Sequence, residues 1–124
     1  MVVATSKNKS DDKLCLILKK RKIQYFRGNL NNVLKRFLDC TKELAPDDIV
    51  VRVTADNPVP DKYLLNDQLN ILIKNNLNYI NTNNCIKNAP YGLMIEIFTK
   101  KMLTENYKKY KNFKYFYKIK EHVT

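Results

Sequence analysis

Histidine and cysteine are scarce in this 124-residue chain, and their scarcity removes several kinds of chemistry. Cys15, Cys40 and Cys85 are odd in number, far apart and without C-x-x-C spacing. Neither a disulfide framework nor a zinc site is therefore indicated, and reduced, mostly buried thiols are expected. A catalytic cysteine would need a neighbouring base, and His122 is the single histidine. No apolar run approaches the roughly 20 residues that cross a bilayer. The opening Met1-Val2-Val3-Ala4-Thr5-Ser6-Lys7 has no basic segment ahead of a long apolar core, which argues against a signal peptide. The cytoplasm is the expected location, with no membrane partner. An internal repeat and a Gly/Ser-rich linker are also missing, so residues 1–124 are read as one domain.

Acidic residues are few as well. Twelve Asp and Glu stand against 23 Lys and Arg, a net charge of +11, which invites a nucleic-acid reading. Residues 100–120 sharpen it, because only Glu105 opposes the lysines there and Tyr107, Tyr110, Phe113, Tyr115, Phe116 and Tyr117 lie among them. Such mixing can stack bases or track phosphates. Most of the cations are lysines, however, in a chain also rich in Asn, Ile and Tyr, a pattern of general residue bias. A solvated face is the stronger reading, and nucleic acid is not an expected partner. A non-catalytic basic module that binds nucleic acid or a partner protein is the alternative function.

The 44% hydrophobic content marks a globular chain. Residues 2–6 read as a short β-branched strand, and Ser10-Asp11-Asp12 offers a cap for a helix over 12–21 with Leu14, Ile17 and Leu18 on one face. A second strand over 23–27 ends at Gly28. The asparagines between 29 and 32 cap a helix to about residue 44, with Val33, Leu34, Phe37, Leu38 and Thr41 inward. A third strand at 49–53 is followed by a helix over 63–74, patterned by Leu64, Leu65, Gln68, Leu69, Leu72 and Ile73. Residues 79–80 start a short strand, 81–88 form a polar loop, and 93–98 form another strand. Thr99 caps a final helix to about residue 110. Strands alternating with short helices predict an α/β sheet, mostly parallel.

The most informative stretch is Ile49-Val50-Val51-Arg52-Val53-Thr54-Ala55-Asp56-Asn57-Pro58-Val59-Pro60-Asp61. Its β-branched run suits a strand covered on both faces, and in open α/β sheets ligands gather outside the carboxyl ends of strands. Asp56 stands at that end, the prolines stop the strand, and Asp61 is placed to cap the next helix. Arg52, inside the strand, needs either a carboxylate or phosphate partner or an exposed face.

Arg52 to Pro58, preceded by Phe26-Arg27-Gly28 and by Val33-Leu34-Lys35-Arg36-Phe37, resembles the cytidylyltransferases of the spore-coat polysaccharide type, relatives of the synthetases that make CMP-activated sugar acids. The likeness takes in Val2-Val3-Ala4-Thr5-Ser6 with Asp11-Asp12, then Pro90 to Phe98, then Glu121-His122-Val123-Thr124, in a consistent order over nearly the whole chain. It implies a doubly wound, Rossmann-like sheet of the nucleotide-sugar transferase type, CTP and an acceptor sugar as substrates, and Mg²⁺ as the cofactor. By this resemblance Asp56 is the metal ligand, and Asp56 and Arg52 are the catalytic pair. Thr5, Ser6, Asp11, Arg27, Gly28 and Arg36 lie near the nucleotide, although Arg36 equally suits a surface cation. Asn57, Glu96 and His122 lie on the acceptor side, although an acidic residue frequent in the family is missing at Met94. The resemblance also implies a phosphate-wrapping strand and loop ahead of Val2 and an acidic residue beyond Thr124. The chain is therefore expected to be an internal piece, incomplete at both ends and silent by itself. A homo-oligomer or a second chain would supply the missing strand.

Overall fold

The computed structural model describes residues 1–57 and 60–110. Their contacts gather into two compact units, one of Met1–Leu44 with the residues from Thr104 onward, the other of Ala45–Leu103. The architecture is α/β.

In the first unit, β1 (Val3–Ser6) and β2 (Tyr25–Gly28) pair in parallel, Val3 opposite Tyr25 and Ser6 opposite Gly28. Parallel neighbours require a crossover, and a 3₁₀ turn (Lys9–Asp11) followed by α1 (Asp12–Lys20) provides it. The buried residues of α1 are Cys15 and Leu18, whereas Leu14 and Ile17 are exposed, so its inward face is narrower than the leucine spacing suggests. The helix closes with the Ile23 N–H donating to the Leu18 carbonyl at 2.9 Å and with Lys22 left-handed at φ 57°. That is the Schellman arrangement, in which glycine is the usual residue.

α2 (Val33–Cys40) starts where expected, because the Asn32 side chain accepts the Lys35 N–H at 2.8 Å. It stops a turn earlier than the pattern predicts. The Thr41 hydroxyl donates to the Phe37 carbonyl at 2.8 Å and satisfies one of the last-turn acceptors. Gly28 is needed beneath this helix for space. It is not among the positive-φ residues, but a Cβ built on it would lie 2.6 Å from Arg36 Cγ and 3.0 Å from both Arg36 Cβ and Phe26 Cε1.

In the second unit, β3 (Ile49–Val53), β4 (Tyr79–Asn81) and β5 (Ile95–Thr99) form a sheet in the order β3-β5-β4. Both pairings are antiparallel to β5, so β3 and β4 run the same way with a reversed strand between them. The mostly parallel pairing read from the sequence thus holds for β1 and β2 and not here. The connection between β4 and β5 carries one helical turn, α4 (Thr82–Cys85), and no crossover helix of the kind that joins β1 to β2. The buried Thr82 hydroxyl accepts the Ile95 N–H at 2.8 Å and fixes where β5 begins.

α3 (Lys62–Lys74) is capped by Asp61, whose carboxylate accepts the Leu64 N–H at 2.8 Å. It buries Leu64, Gln68 and Leu72, spaced four apart along one face. Leu72, Ile80, Ile95 and Ile97 form the apolar centre, with Leu65, Leu69 and Cys85 against it. α5 (Lys100–Tyr110) follows β5 directly, with Thr99 Oγ1 accepting the Met102 N–H at 3.2 Å. One expectation is overturned. β3 is an outer strand of its sheet, and Ile49, Val51 and Val53 are 37%, 41% and 44% exposed, so it is not covered on both faces.

The crowding at Gly28 yields a direct test. Gly28→Ala should lower stability by about 1–3 kcal/mol, because the added methyl meets the stem of Arg36, which is anchored to the helix. Exposed Leu16 replaced by alanine should stay within about 0.5 kcal/mol of wild type. Urea denaturation compares them, and an unchanged midpoint for Gly28→Ala would show that α2 does not need this close approach.

Candidate functional site

Register brings the second unit's polar residues together. Arg52 on β3 lies opposite Glu96 on β5, and Asn81 on β4 lies opposite the same Glu96. Residues directly opposite in adjacent strands share a face. The Arg52 guanidinium forms an ion pair with Glu96, their side chains being 19% and 17% exposed, so the pair is largely shielded from water. The Tyr79 hydroxyl donates to Glu96 Oε1 at 3.2 Å and accepts from the Asn81 amide nitrogen at 3.1 Å. Burial first, then the Glu96 carboxylate, push the Tyr79 phenol up to about 12 against a lowering contribution from Asn81. Tyr79 is therefore a neutral hydrogen-bond donor at ordinary pH. Arg52 meets the carboxylate partner that its position inside a strand requires.

Past the carboxyl end of β3 the chain makes a tight turn, with the Asn57 N–H donating to the Thr54 carbonyl at 3.0 Å. Asp56 sits exposed on this turn and accepts from the Thr54 hydroxyl. The Thr54 hydroxyl first, then its own backbone N–H and the Arg52 charge, hold its carboxyl below the usual aspartate range. Asn57 is used by the fold. Its Oδ1 accepts the Met94 N–H at 3.0 Å, joining the end of β3 to the segment that enters β5, and its amide nitrogen donates to Thr54.

Asp56 matches the needs of a divalent cation in one way. No cluster of three or more His, Cys, Asp or Glu side chains exists among the described residues. Asp56 is thus a single ionised hard-oxygen donor, and Mg²⁺ commonly takes one or two carboxylates and completes its shell with water and substrate phosphates.

In the first unit, the sequence-derived nucleotide residues bond chiefly to one another. Asp11 Oδ2 accepts the Thr5 hydroxyl at 2.6 Å, the Ser6 hydroxyl at 2.6 Å and the Ser6 N–H at 2.9 Å. Thr5 and Ser6 are 9% and 2% exposed, so their hydroxyls face the protein. Arg27 donates to the Ser6 carbonyl at 2.9 Å and the Asn8 carbonyl at 2.8 Å, and pairs with Asp12 at 2.8 Å. Arg36 donates to the Asn29 carbonyl at 2.9 Å. These groups shape the two loops at the carboxyl ends of β1 and β2.

Sequence reasoning passed over Thr54, Tyr79 and Asn81. Thr54 is signalled by its place two residues before a strand-end aspartate. Tyr79 and Asn81 share a strand face by their spacing, but their link to Glu96 needs the pairing of β4 with β5. His122 lies outside the described residues. Among the described residues no helix is long and apolar enough to cross a membrane.

Comparisons with known proteins agree with one another. A family model described as Cytidylyltransferase matches residues 1–122. The chain is 36% identical over 124 residues to the uncharacterized protein MJ1063 of Methanocaldococcus jannaschii, covering 100% of this chain and 47% of that protein. It is 30% identical over 105 residues to the spore coat polysaccharide biosynthesis protein SpsF of Bacillus subtilis, covering 85% of this chain and 42% of that one. Among solved structures, a cytidylyltransferase from Leptospira borgpetersenii superposes with a TM-score of 0.71 at 32% identity, over 84% of this chain and 44% of that chain. The chain spans less than half the length of each of these proteins.

Asp11 gives a pH test of the first unit. Hydrogen bonds from Ser6, then Thr5, hold its carboxyl far below the usual range. A pKa depressed by folding contributes stability that is full above the ordinary aspartate value of about 4 and is lost as pH falls towards the folded value. Thermal melting across acidic pH should therefore show a shallower loss below about pH 4 in Asp11→Asn than in wild type. An identical acid limb in the two proteins would mean that this carboxylate does not tie the loop.

Proposed function

The chain belongs to the cytidylyltransferase family, and from that membership we propose that it forms part of an enzyme that transfers CMP from CTP to a sugar acid or related sugar for surface polysaccharide synthesis. The observation that carries this reading is Asp56, exposed and ionised at the carboxyl end of a strand. The family name supports the nucleotide. The acceptor class is supported by SpsF, which is named for spore coat polysaccharide biosynthesis.

In this reaction an acceptor oxygen attacks the α-phosphorus of CTP. A new O–P bond forms, the bond to the β-phosphate oxygen breaks, and pyrophosphate leaves with that electron pair while the acceptor proton passes to solvent. Asp56 would hold Mg²⁺, which when bound neutralises charge on the phosphates. Thr54 keeps the Asp56 carboxylate ionised and limits its rotation. Arg52, held by Glu96 with Tyr79, would contribute an oriented ion-pair dipole in the same strand rather than a free positive charge, with little reorganisation as charge develops. Asn57 sets the turn that presents Asp56. By the family resemblance Glu96, held in its group with Arg52 and Tyr79, would face the acceptor side. In the first unit, Thr5, Ser6, Asp11, Arg27, Gly28 and Arg36 build the loops that border the nucleotide.

The test is Mg²⁺-dependent pyrophosphate release from CTP. It is run on residues 1–124 alone and on a chimera in which this chain replaces the matching segment of SpsF. The chimera should turn over, Asp56→Ala in it should abolish turnover with an unchanged melting temperature, and residues 1–124 alone should be silent. Equal rates for the chimera and its Asp56→Ala variant would remove Asp56 from the metal site.

A further inference from the structure

α3 turns one polar side chain into the interior of the second unit. Gln68 is 0% exposed and lies between Leu64 and Leu72 on the buried side of a helix that packs on β4, β5 and α4. Both Oε1 and Nε2 of its carboxamide are buried, and neither has a hydrogen-bond partner among the described residues. A carboxamide brings two donor hydrogens and an acceptor oxygen. Water satisfies all of them when the helix is undocked, so docking forfeits hydration that the interior does not replace. Ile73 meanwhile stands outside, 63% exposed, so α3 gains less from docking than its apolar content allows.

The helix itself is closed at both ends by its own neighbourhood. Asp61 caps its start, and the Asn75 side-chain amide donates to the Ile71 carbonyl at 2.8 Å. The Leu77 N–H donates to the Leu72 carbonyl at 2.8 Å across a left-handed Asn76 at φ 51°, the Schellman closure. These contacts stay within residues 61–77 and do not bind α3 to the sheet. The sheet has a ladder of its own, with β5 paired on both sides. The weak joint of the second unit is therefore the surface between α3 and the strands beneath it.

We propose that α3 is a movable cover on this sheet: it opens and closes as a unit while β3, β5 and β4 stay paired, and the buried Gln68 carboxamide sets how often it opens. Each opening uncovers the apolar centre of Leu72, Ile80, Ile95 and Ile97. Opening of one cooperative segment ahead of the whole is a common motion in folded proteins. The inference is independent of the proposed nucleotidyl transfer and does not require it.

Amide hydrogen exchange of residues 1–124, followed by NMR, tests this without any substrate. The Leu69, Asn70 and Ile71 amides of α3 should exchange about tenfold faster, or more, than those of Ile97 and Phe98 in β5. Gln68→Leu puts an apolar side chain in place of the carboxamide, and should slow the three helix amides about tenfold, the order expected when an unsatisfied buried polar group is removed. Gln68→Met keeps the length of the side chain and should act in the same direction if leucine packs poorly. Equal exchange in α3 and β5 would overturn the proposal, because the helix would then open only with the whole unit. Unchanged or faster exchange in both variants would overturn it as well, because the carboxamide would then be satisfied inside the fold, as by an internal water, and would hold the helix down.

Discussion

The polar site of the second unit depends on one reversed strand. Because β5 runs against both of its neighbours, a single residue on it, Glu96, faces Arg52 on one side and Asn81 on the other. The flanking residues Ile95 and Ile97 of β5 are fully buried and set its register through the apolar centre. A shift of one residue would exchange the two faces of the strand and carry Glu96 into that centre. The hydrophobic packing thus fixes the charged pair, although it contributes nothing to the chemistry directly.

A shielded ion pair gives little net stability compared with an apolar replacement, but removal of one partner is costly because the other charge stays behind. Arg52 and Glu96 are therefore better understood as a positioning device than as a source of stability. Tyr79 adds a hydrogen bond to the carboxylate and is itself held by the Asn81 amide, which limits the conformations open to the group. The same guanidinium helps to keep Asp56 ionised past the end of β3. The order of dependence runs from the reversed strand, to the fixed arginine, to the exposed aspartate.

Much of this was legible in the sequence. The alternation of strands and helices, the capping roles of Asn32, Asp61 and Thr99, and the need of Arg52 for a partner all follow from local patterns, and the structure contains each of them. What depends on pairing between distant segments was less legible. The β-branched run at 49–53 reads as a doubly covered strand, but its cover depends on neighbours that local sequence does not name, and the structure leaves Val51 and Val53 exposed at the edge of a sheet. The reversal of β5 was hidden for the same reason. The packing need for Gly28 was not legible either, since it arises from the Arg36 stem of a helix that local sequence does not place beside it. The hydrogen bonds that Asp11 and Arg27 make to Ser6 appear only once β1 and β2 are side by side.

The central claim is that Asp56 is the metal-holding carboxylate of this chain. Paramagnetic broadening reports it most directly, with Mn²⁺ and CTP titrated into isotopically labelled residues 1–124 and the amide signals followed by NMR. Mn²⁺ stands in for Mg²⁺, and broadening detects even weak and transient occupancy. The account predicts the earliest and strongest loss of signal at Ala55, Asp56 and Asn57, abolished by Asp56→Ala. Broadening centred instead on Asp11 and Asp12, or on Asp47 and Asp48, would contradict it.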